Sequence, residues 1–458
     1  MKTLTALGFG LAAMGFTLLS LESDARACGG CFAPPDTPTV VTDHRMILSV
    51  SKDQTSLYDQ FRYQGDPSAF AWVLPIVGTV QVGLSSDQLF NSLDQTTQTT
   101  VQAPPRNCPA QPNNCRGAAA PSAAGGDSAQ DAGVSVLARE VVGPYETVQL
   151  RSTDPDALGK WLADNKFSVP DDIKPVIAQY VAEKFDFLAL KLIPGKGVND
   201  MKPVRVTTPG AAAVLPLRMV AAGTGAVVGV TLWVVAEGRY QPQNFPSYRI
   251  EDSELAWDWT QNRSNYSDLR KSKTDAGGGK IWELESSIAL SNSNLYLPEY
   301  QDSRGDYAGY SPIKNDQGVV TKTAQEVYQE DMAALFKGIP AGSSRVTRIR
   351  ADLARTALAS DLLLTASSDQ ALLPNSRIAT KELSPPQCPV FSGCEQVGTA
   401  PRDEAAAQTD VNNNAVAGGK TLCTVSSTAR KDLGAPMTLV AMAGFLGLAW
   451  TRSRRKQR

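Results

Sequence analysis

DPDALGKWLADNKFSVP (residues 154–170) runs directly into DDIKPVIAQYVAEKFDFLALKLI (residues 171–193), and the pair decides the fold class. Asp154 is placed to cap a helix that starts at Pro155, where a missing N–H does no harm because that donor has no helical partner. Leu158, Trp161 and Leu162 share one face of it. A partial likeness to a calcium loop (Asp154, Asp156 and Gly159 at positions one, three and six) fails at Leu158 and at Asn165, which stands where the bidentate Glu belongs. Across 171–185, Ile173, Val176, Ile177, Tyr180 and Val181 recur at helical spacing, and 187–193 then reads as a strand. Helices set beside strands in this way predict an α+β fold.

Outward from there the chain reads mostly as strands. Before it lie 39–50, 57–63 and 69–77, the last carrying FAWVLPIVG with Pro75 as its expected stop, since proline cannot donate to a ladder. A short helix over 86–93 follows, capped by Ser85 or Ser86. Residues 102–133 are rich in Pro, Ala, Gly, Asn and Gln, so they bury too little to offset their ordering entropy and read as a disordered insertion. Residues 141–151 form another expected strand. After the opening stretch come strands at 204–208, 213–221, 227–235 and 280–290, a helix at 323–336, and closing core strands at 346–350 and 362–366. IEDSELAWDW (250–259) sets Trp257 and Trp259 among carboxylates, which suits either a half-buried edge or a sugar or cation site. From 376 onward the composition is that of a linker.

The two ends suggest a destination. Residues 1–27 carry Lys2, an apolar run and the small-x-small site Ala25-Arg26-Ala27, the pattern of a secretory signal peptide cleaved after Ala27. Residues 433–451 are apolar and uncharged, at the short end of what spans a bilayer as a helix. The basic end, 452–458, holds Arg452, Arg454, Arg455, Lys456 and Arg458 and belongs on the cytoplasmic side. The expected organisation is therefore signal peptide 1–27, α+β domain 28–101 and 134–375 around the insertion 102–133, linker 376–432, transmembrane helix 433–451 and basic end 452–458.

Chemistry is sparse. The 458 residues include Lys+Arg 44 against Asp+Glu 46, a formal net charge of -2, so no basic face for nucleic acid is implied. There is one histidine, His44, in the cluster Asp43-His44-Arg45, with no evident nucleophile for it to serve. No HExxH, G-x-S-x-G or dinucleotide fingerprint occurs. DVNNN at 410–414 and GKT at 419–421 are incomplete calcium and phosphate loops. No catalytic residue, cofactor or metal ligand set is expected. Of seven cysteines, six form close pairs, Cys28/Cys31, Cys108/Cys115 and Cys388/Cys394, read as local disulfides; six cysteines allow 15 pairings, so this is a preference. Cys28/Cys31 also fits a redox pair or half a zinc site. Cys423 is left over.

Several stretches together resemble one bacterial family: ACGGCF (27–32), FAWVLPI (70–76), the opening stretch, VRVTTPGAAAVLPLRM (204–219) and VTLWVVAEGRY (230–240). The family is domain of unknown function 2330, and the likeness runs over residues 28–366. It implies no established activity and no catalytic residues. The tail is similar to bacterial C-terminal sorting tails of the MYXO-CTERM type, with Cys423 as the matching cysteine. That likeness implies processing or lipidation at Cys423 and a place at the cell surface; an uncleaved anchor is the other reading.

The sequence thus predicts a mostly antiparallel α+β domain, exported and anchored in the cell envelope through its C-terminal helix. The expected role is structural or binding, with the membrane and an envelope protein or polysaccharide as partners. An envelope hydrolase built on Asp and Glu carboxylates, or a thiol-redox role for Cys28 and Cys31, are the rivals.

Overall fold

The computed structural model describes residues 31–32, 40–64, 71–110, 141–150, 155–193, 200–222, 224–296, 305–315 and 317–418. In chain order come β1 (Cys31–Phe32), β2 (Val40–Val50), β3 (Gln54–Gln64), β4 (Ala71–Ile76), β5 (Gln81–Leu84), α1 (Asp87–Thr97) and β6 (Thr100–Gln102). Next are β7 (Val141–Val142), β8 (Tyr145–Leu150), α2 (Pro155–Asp164), α3 (Lys174–Ala182), β9 (Asp186–Leu192) and β10 (Val204–Pro209). The middle of the chain supplies β11 (Val214–Leu215), α4 (Leu217–Val220), β12 (Val227–Glu237), β13 (Tyr240–Pro242), β14 (Ser247–Tyr248), β15 (Ala256–Asp258), β16 (Arg263–Ser264), α5 (Tyr266–Ala276) and β17 (Trp282–Ala289). The remainder is β18 (Ile313–Lys314), β19 (Val320–Lys322), α6 (Ala324–Phe336), β20 (Ser344–Ala354), β21 (Leu362–Ala366), β22 (Ser376–Ile378), β23 (Lys381–Ser384), β24 (Gln387–Ser392), β25 (Glu395–Pro401) and α7 (Arg402–Gly418).

The fold is α+β with mostly antiparallel sheets. Its backbone is an eight-stranded sheet in the order β14-β17-β20-β12-β2-β3-β10-β5. One central pair departs from the antiparallel expectation: β12 runs parallel to β2, with Trp233 opposite Ile47. A five-stranded sheet, β1-β4-β9-β8-β7, shares a core with it. Alternation along each strand makes two different faces. Met46 and Leu48 of β2, Val230, Leu232 and Val234 of β12, and Ile349 and Leu353 of β20 join the core shared with β4, β9, α2, α3 and α4. Ile47, Tyr58, Trp233 and Val346 face the other way, against Phe90 and Leu93 of α1 and Met332 and Leu335 of α6. Both covering helices start at side-chain caps. Ser86 accepts from the Gln88 N–H, and Thr323 with Glu326 makes a reciprocal capping box.

Several expectations are corrected. Pro75 does not stop its strand: the ladder continues to Ile76 opposite Asp186. On the far side of β4, β1 pairs only with Ala71 and Trp72, so among the described residues no ladder there needs the missing N–H. The expected strand 213–221 is only β11; Pro216 ends it, and Leu217–Val220 turn into α4, whose Arg218 N–H donates to Asp361 Oδ1 at 3.0 Å. The insertion 102–133 begins inside β6, and residues 103–110 are placed, with Arg106 4.9 Å from the Trp259 ring centroid. Most of the expected linker folds: residues 376–418 form β22, β23, the β24–β25 hairpin and α7. β22 lies parallel to β6 and β23 parallel to β15, so this strap returns across the body. Its small core holds Cys388, Val390, Ala400 and Ala405, with Cys108 packed against it.

The local pairing of Cys108 with Cys115 and of Cys388 with Cys394 is also overturned, whereas the Cys28/Cys31 pair reaches outside the described residues. Cys108 bonds to Cys388, 280 positions away, with Cα atoms 5.3 Å apart. Cys394 is disulfide-bonded as well, so its partner is neither Cys108 nor Cys388. Close spacing misled because the strap brings residue 388 beside residue 108, while Cys388 and Cys394 flank opposite ends of β24 in a hairpin. Replacing Cys388 by Ser is expected to cost about 2–4 kcal/mol and to open 376–418 to protease ahead of the core; an unchanged digestion pattern would show that the strap holds without the cross-link.

Cys28, Cys115, Cys423, the cleavage site at Ala27, the leader 1–27 and the apolar tail 433–451 lie outside the described residues. Among the described residues no helix is long and apolar enough to cross a membrane.

Candidate functional site

Strand alternation separates the Asp43-His44-Arg45 cluster. His44 enters the shared core, where its Nδ1 lies 3.1 Å from Asp59 Oδ1 of β3. Both are buried, and Asp59 is also bonded to Trp72. Burial raises the Asp59 carboxyl above its usual range, and His44 pulls the other way. His44, Asp59, Trp72 and Met219 line a small, half-open pocket of about 20 Å³, room for one water. Arg45 points to the opposite face, where it donates to the Phe90 carbonyl at 2.8 Å and to Gln60 at 3.0 Å. The lone histidine is therefore a core residue with an acidic partner.

Trp257 and Trp259 do meet, edge to face at 6.2 Å. Trp259 Nε1 donates to Glu382 at 3.2 Å, and Arg402 holds the same carboxylate with two bonds, at 3.0 and 2.7 Å. This cluster fastens the strap to β15. Cys31 sits in β1 opposite Trp72, not at the start of a helix as a thioredoxin-like motif requires.

The richest chemistry lies on the second face of the eight-stranded sheet, at a β-bulge that the sequence reading passed over. In β17, Glu283 lies opposite Arg350 and Ser286 opposite Arg348, with Glu285 the extra residue between them. Glu283 and Glu285 are both buried, 2% and 5% exposed. Glu285 is ion-paired with Arg348. Arg348 also reaches Asp94 of α1 at 2.5 Å and lies 5.3 Å from the Trp233 ring, with Arg45 5.4 Å from that ring too. Glu283 Oε1 accepts from the Tyr266 hydroxyl at 2.6 Å, and Glu283 Oε2 lies 3.2 Å from Arg270 Nε. Arg270 in turn bonds Asp352 at 2.7 Å.

Burial pushes the Glu283 carboxyl up to about 7, helped by the charge of Glu285. The Tyr266 bond and the guanidinium groups of Arg270 and Arg350 oppose this without cancelling it. A carboxyl that titrates near neutrality beside a second carboxylate can hold or release a proton at physiological pH. The signal was present in WELES: two acidic residues at i and i+2 of a strand share a face. Among the described residues no group of three or more His, Cys, Asp or Glu could hold a metal ion.

A family model described as an uncharacterized protein conserved in bacteria, DUF2330, matches residues 22–308. The chain belongs to the DUF2330 family. No curated protein and no solved structure matches it. The DUF2330 match takes in β17 with Glu283 and Glu285, and α5 above them, but stops before β20, which carries Arg348 and Arg350. The site of this DUF2330 protein therefore straddles the family boundary.

Proposed function

We propose that this is an exported envelope protein with a structural or binding role, held at a membrane or at the cell surface by its C-terminal tail. The Cys108–Cys388 cross-link carries the reading, because disulfides between distant segments persist in oxidising compartments and not in a bacterial cytoplasm. The leader-like 1–27 and the apolar, arginine-ended tail supply a route out and an anchor. A non-enzymatic role is supported by how the reactive groups are engaged: His44 by Asp59, Glu283 by Tyr266 and Arg270, and Glu285 by Arg348. The partner class is an envelope protein or polysaccharide.

Non-reducing mass spectrometry of separated cell fractions tests this. The expected chain sits in the membrane or surface fraction, begins after Ala27 and keeps Cys108 linked to Cys388. It ends either near Cys423 with added lipid mass or at Arg458. Reduced Cys108 and Cys388 in the cytoplasmic fraction would sink the reading.

The Glu283–Glu285 pair favours a second reading, an envelope hydrolase in which Glu283 acts as the acid, since a carboxyl poised near pH 7 suits that task. Turnover of envelope polymers by the purified protein, lost in Glu283→Gln and kept in Glu382→Gln, would establish it; no turnover by the wild type removes it.

A further inference from the structure

The helix that covers the carboxylate pair is unlike the others. α5 has no buried residue, and its sequence, YSDLRKSKTDA, offers little apolar surface beyond Leu269. Its apolar hold is confined to Tyr266 and Leu269, which pack half-buried on the small cluster of Ile250, Leu255 and Ala379. The rest is polar: Tyr266 to Glu283, Arg270 to Glu283 and Asp352, and Lys273 to Glu254 at 2.8 Å. The Tyr248 hydroxyl adds a long bond to the Arg270 carbonyl at 3.4 Å. The segment ends in three glycines, of which Gly278 and Gly279 have φ of 60° and 67°, a left-handed turn that only glycine enters freely.

We propose that α5 is a pH-responsive lid over the Glu283–Glu285 pair, held down in acid and released as the medium turns alkaline. The groups that face Glu283 come from every element around it: Tyr266 and Arg270 from α5, Tyr248 from β14, Glu285 from its own strand, and Arg350 from β20. Behind them stand Asp352, paired with Arg270, and Arg348 with Asp94, paired with Glu285. Protonated Glu283 sits under the lid without repelling Glu285. Ionised, it is a second negative charge in a desolvated place, and lifting α5 is the movement that lets water reach it.

The sign follows from linkage. Closed, Glu283 titrates at about 7; open to water it returns toward 4.5, so the closed form binds more protons between those values. The opening equilibrium therefore rises with pH, by about 100-fold between pH 4.5 and 7.5, and levels off above that toward a limit of about 300-fold over the whole range.

Amide hydrogen exchange on the purified full-length protein, corrected for intrinsic rates, reads this directly. Protection over residues 266–276 is expected to fall by about two orders of magnitude from pH 5 to pH 8, while α6 stays protected. In Glu283→Gln the α5 protection should lose its pH dependence. Should that variant fail to fold, the wild-type carboxyl infrared band supplies the second readout, with a titration midpoint matching that of the exchange. The proposal is overturned if α5 protection is flat with pH, if it falls in step with α6, if Glu283→Gln keeps the drop, or if no carboxyl band titrates with the exchange midpoint.

Discussion

A chain cut at residue 308, where the family match ends, is expected not to fold. The missing β20 is an interior strand of the large sheet, not an appendage. Every residue from Ser344 to Ala354 has a partner in β12, and its other edge pairs with β17. Without it β14 and β17 lose their attachment, and two strand edges open that would template aggregation. The shared core also loses Ile349, Ala351 and Leu353, and the second core loses Val346 together with all of α6. Apolar burial of that size, several side chains at about 1.5–3 kcal/mol each, consumes a typical domain stability of about 5–15 kcal/mol. Circular dichroism and soluble yield of the truncated and full chains decide it. A soluble, cooperatively melting 1–308 product would show that the family boundary is a true domain boundary.

The second large effect is expected at Arg205. This β10 residue is buried, and its Nη1 donates to Asp331 Oδ1 at 2.6 Å and its Nη2 to Glu330 Oε1 at 2.9 Å. Asp331 is fully buried on α6, where it also accepts from Ser85 and from Tyr310 at 2.8 Å. Burial raises the Asp331 carboxyl, while Arg205 and the two hydroxyls pull it back. The passage for the guanidinium depends on Gly83, since a Cβ there would lie 2.6 Å from Nη2. Arg205→Ala leaves a buried carboxylate without its cation, which costs about 3–5 kcal/mol. Asp331→Asn is expected to cost less, because the amide still accepts a hydroxyl and Glu330 remains as a counter-charge. Urea denaturation of both variants checks the order, and an Arg205→Ala protein within 1 kcal/mol of wild type would mean that water replaces the lost cation.

These interactions also show where sequence reading reached its limit. β2, β3, β12 and β20 were legible because their alternating or continuous apolar runs announce two faces, and α1 and α6 because Ser86 and Thr323 cap an apolar periodicity. α5 went unread because none of its residues is fully buried: beyond the half-buried Tyr266 and Leu269, its hold is through polar and charged groups whose partners lie elsewhere in the chain. The strap 376–418 looked like linker because its anchors are long-range, a parallel pairing to β6, the Trp259–Glu382 bond and one cross-link. Pairing partners cannot be read from composition. Of the candidate site, Glu283 and Glu285 were visible as ELE in an expected strand, but their nearness to Arg348 and Arg350 depends on β20 arriving from far downstream.

The Cys108–Cys388 bond has a mechanical meaning for a chain tethered by its C-terminal end. A pull on the end of α7, resisted at β2, travels through residue 388, crosses the sulfur bridge to residue 108 and continues through β6 and α1. The 280-residue interval between the two cysteines is a closed loop beside that line of force. β12, β17, β20 and the Glu283–Glu285 bulge all lie inside it, so under the proposed anchoring the covalent path would spare them any tension applied at the C-terminal end.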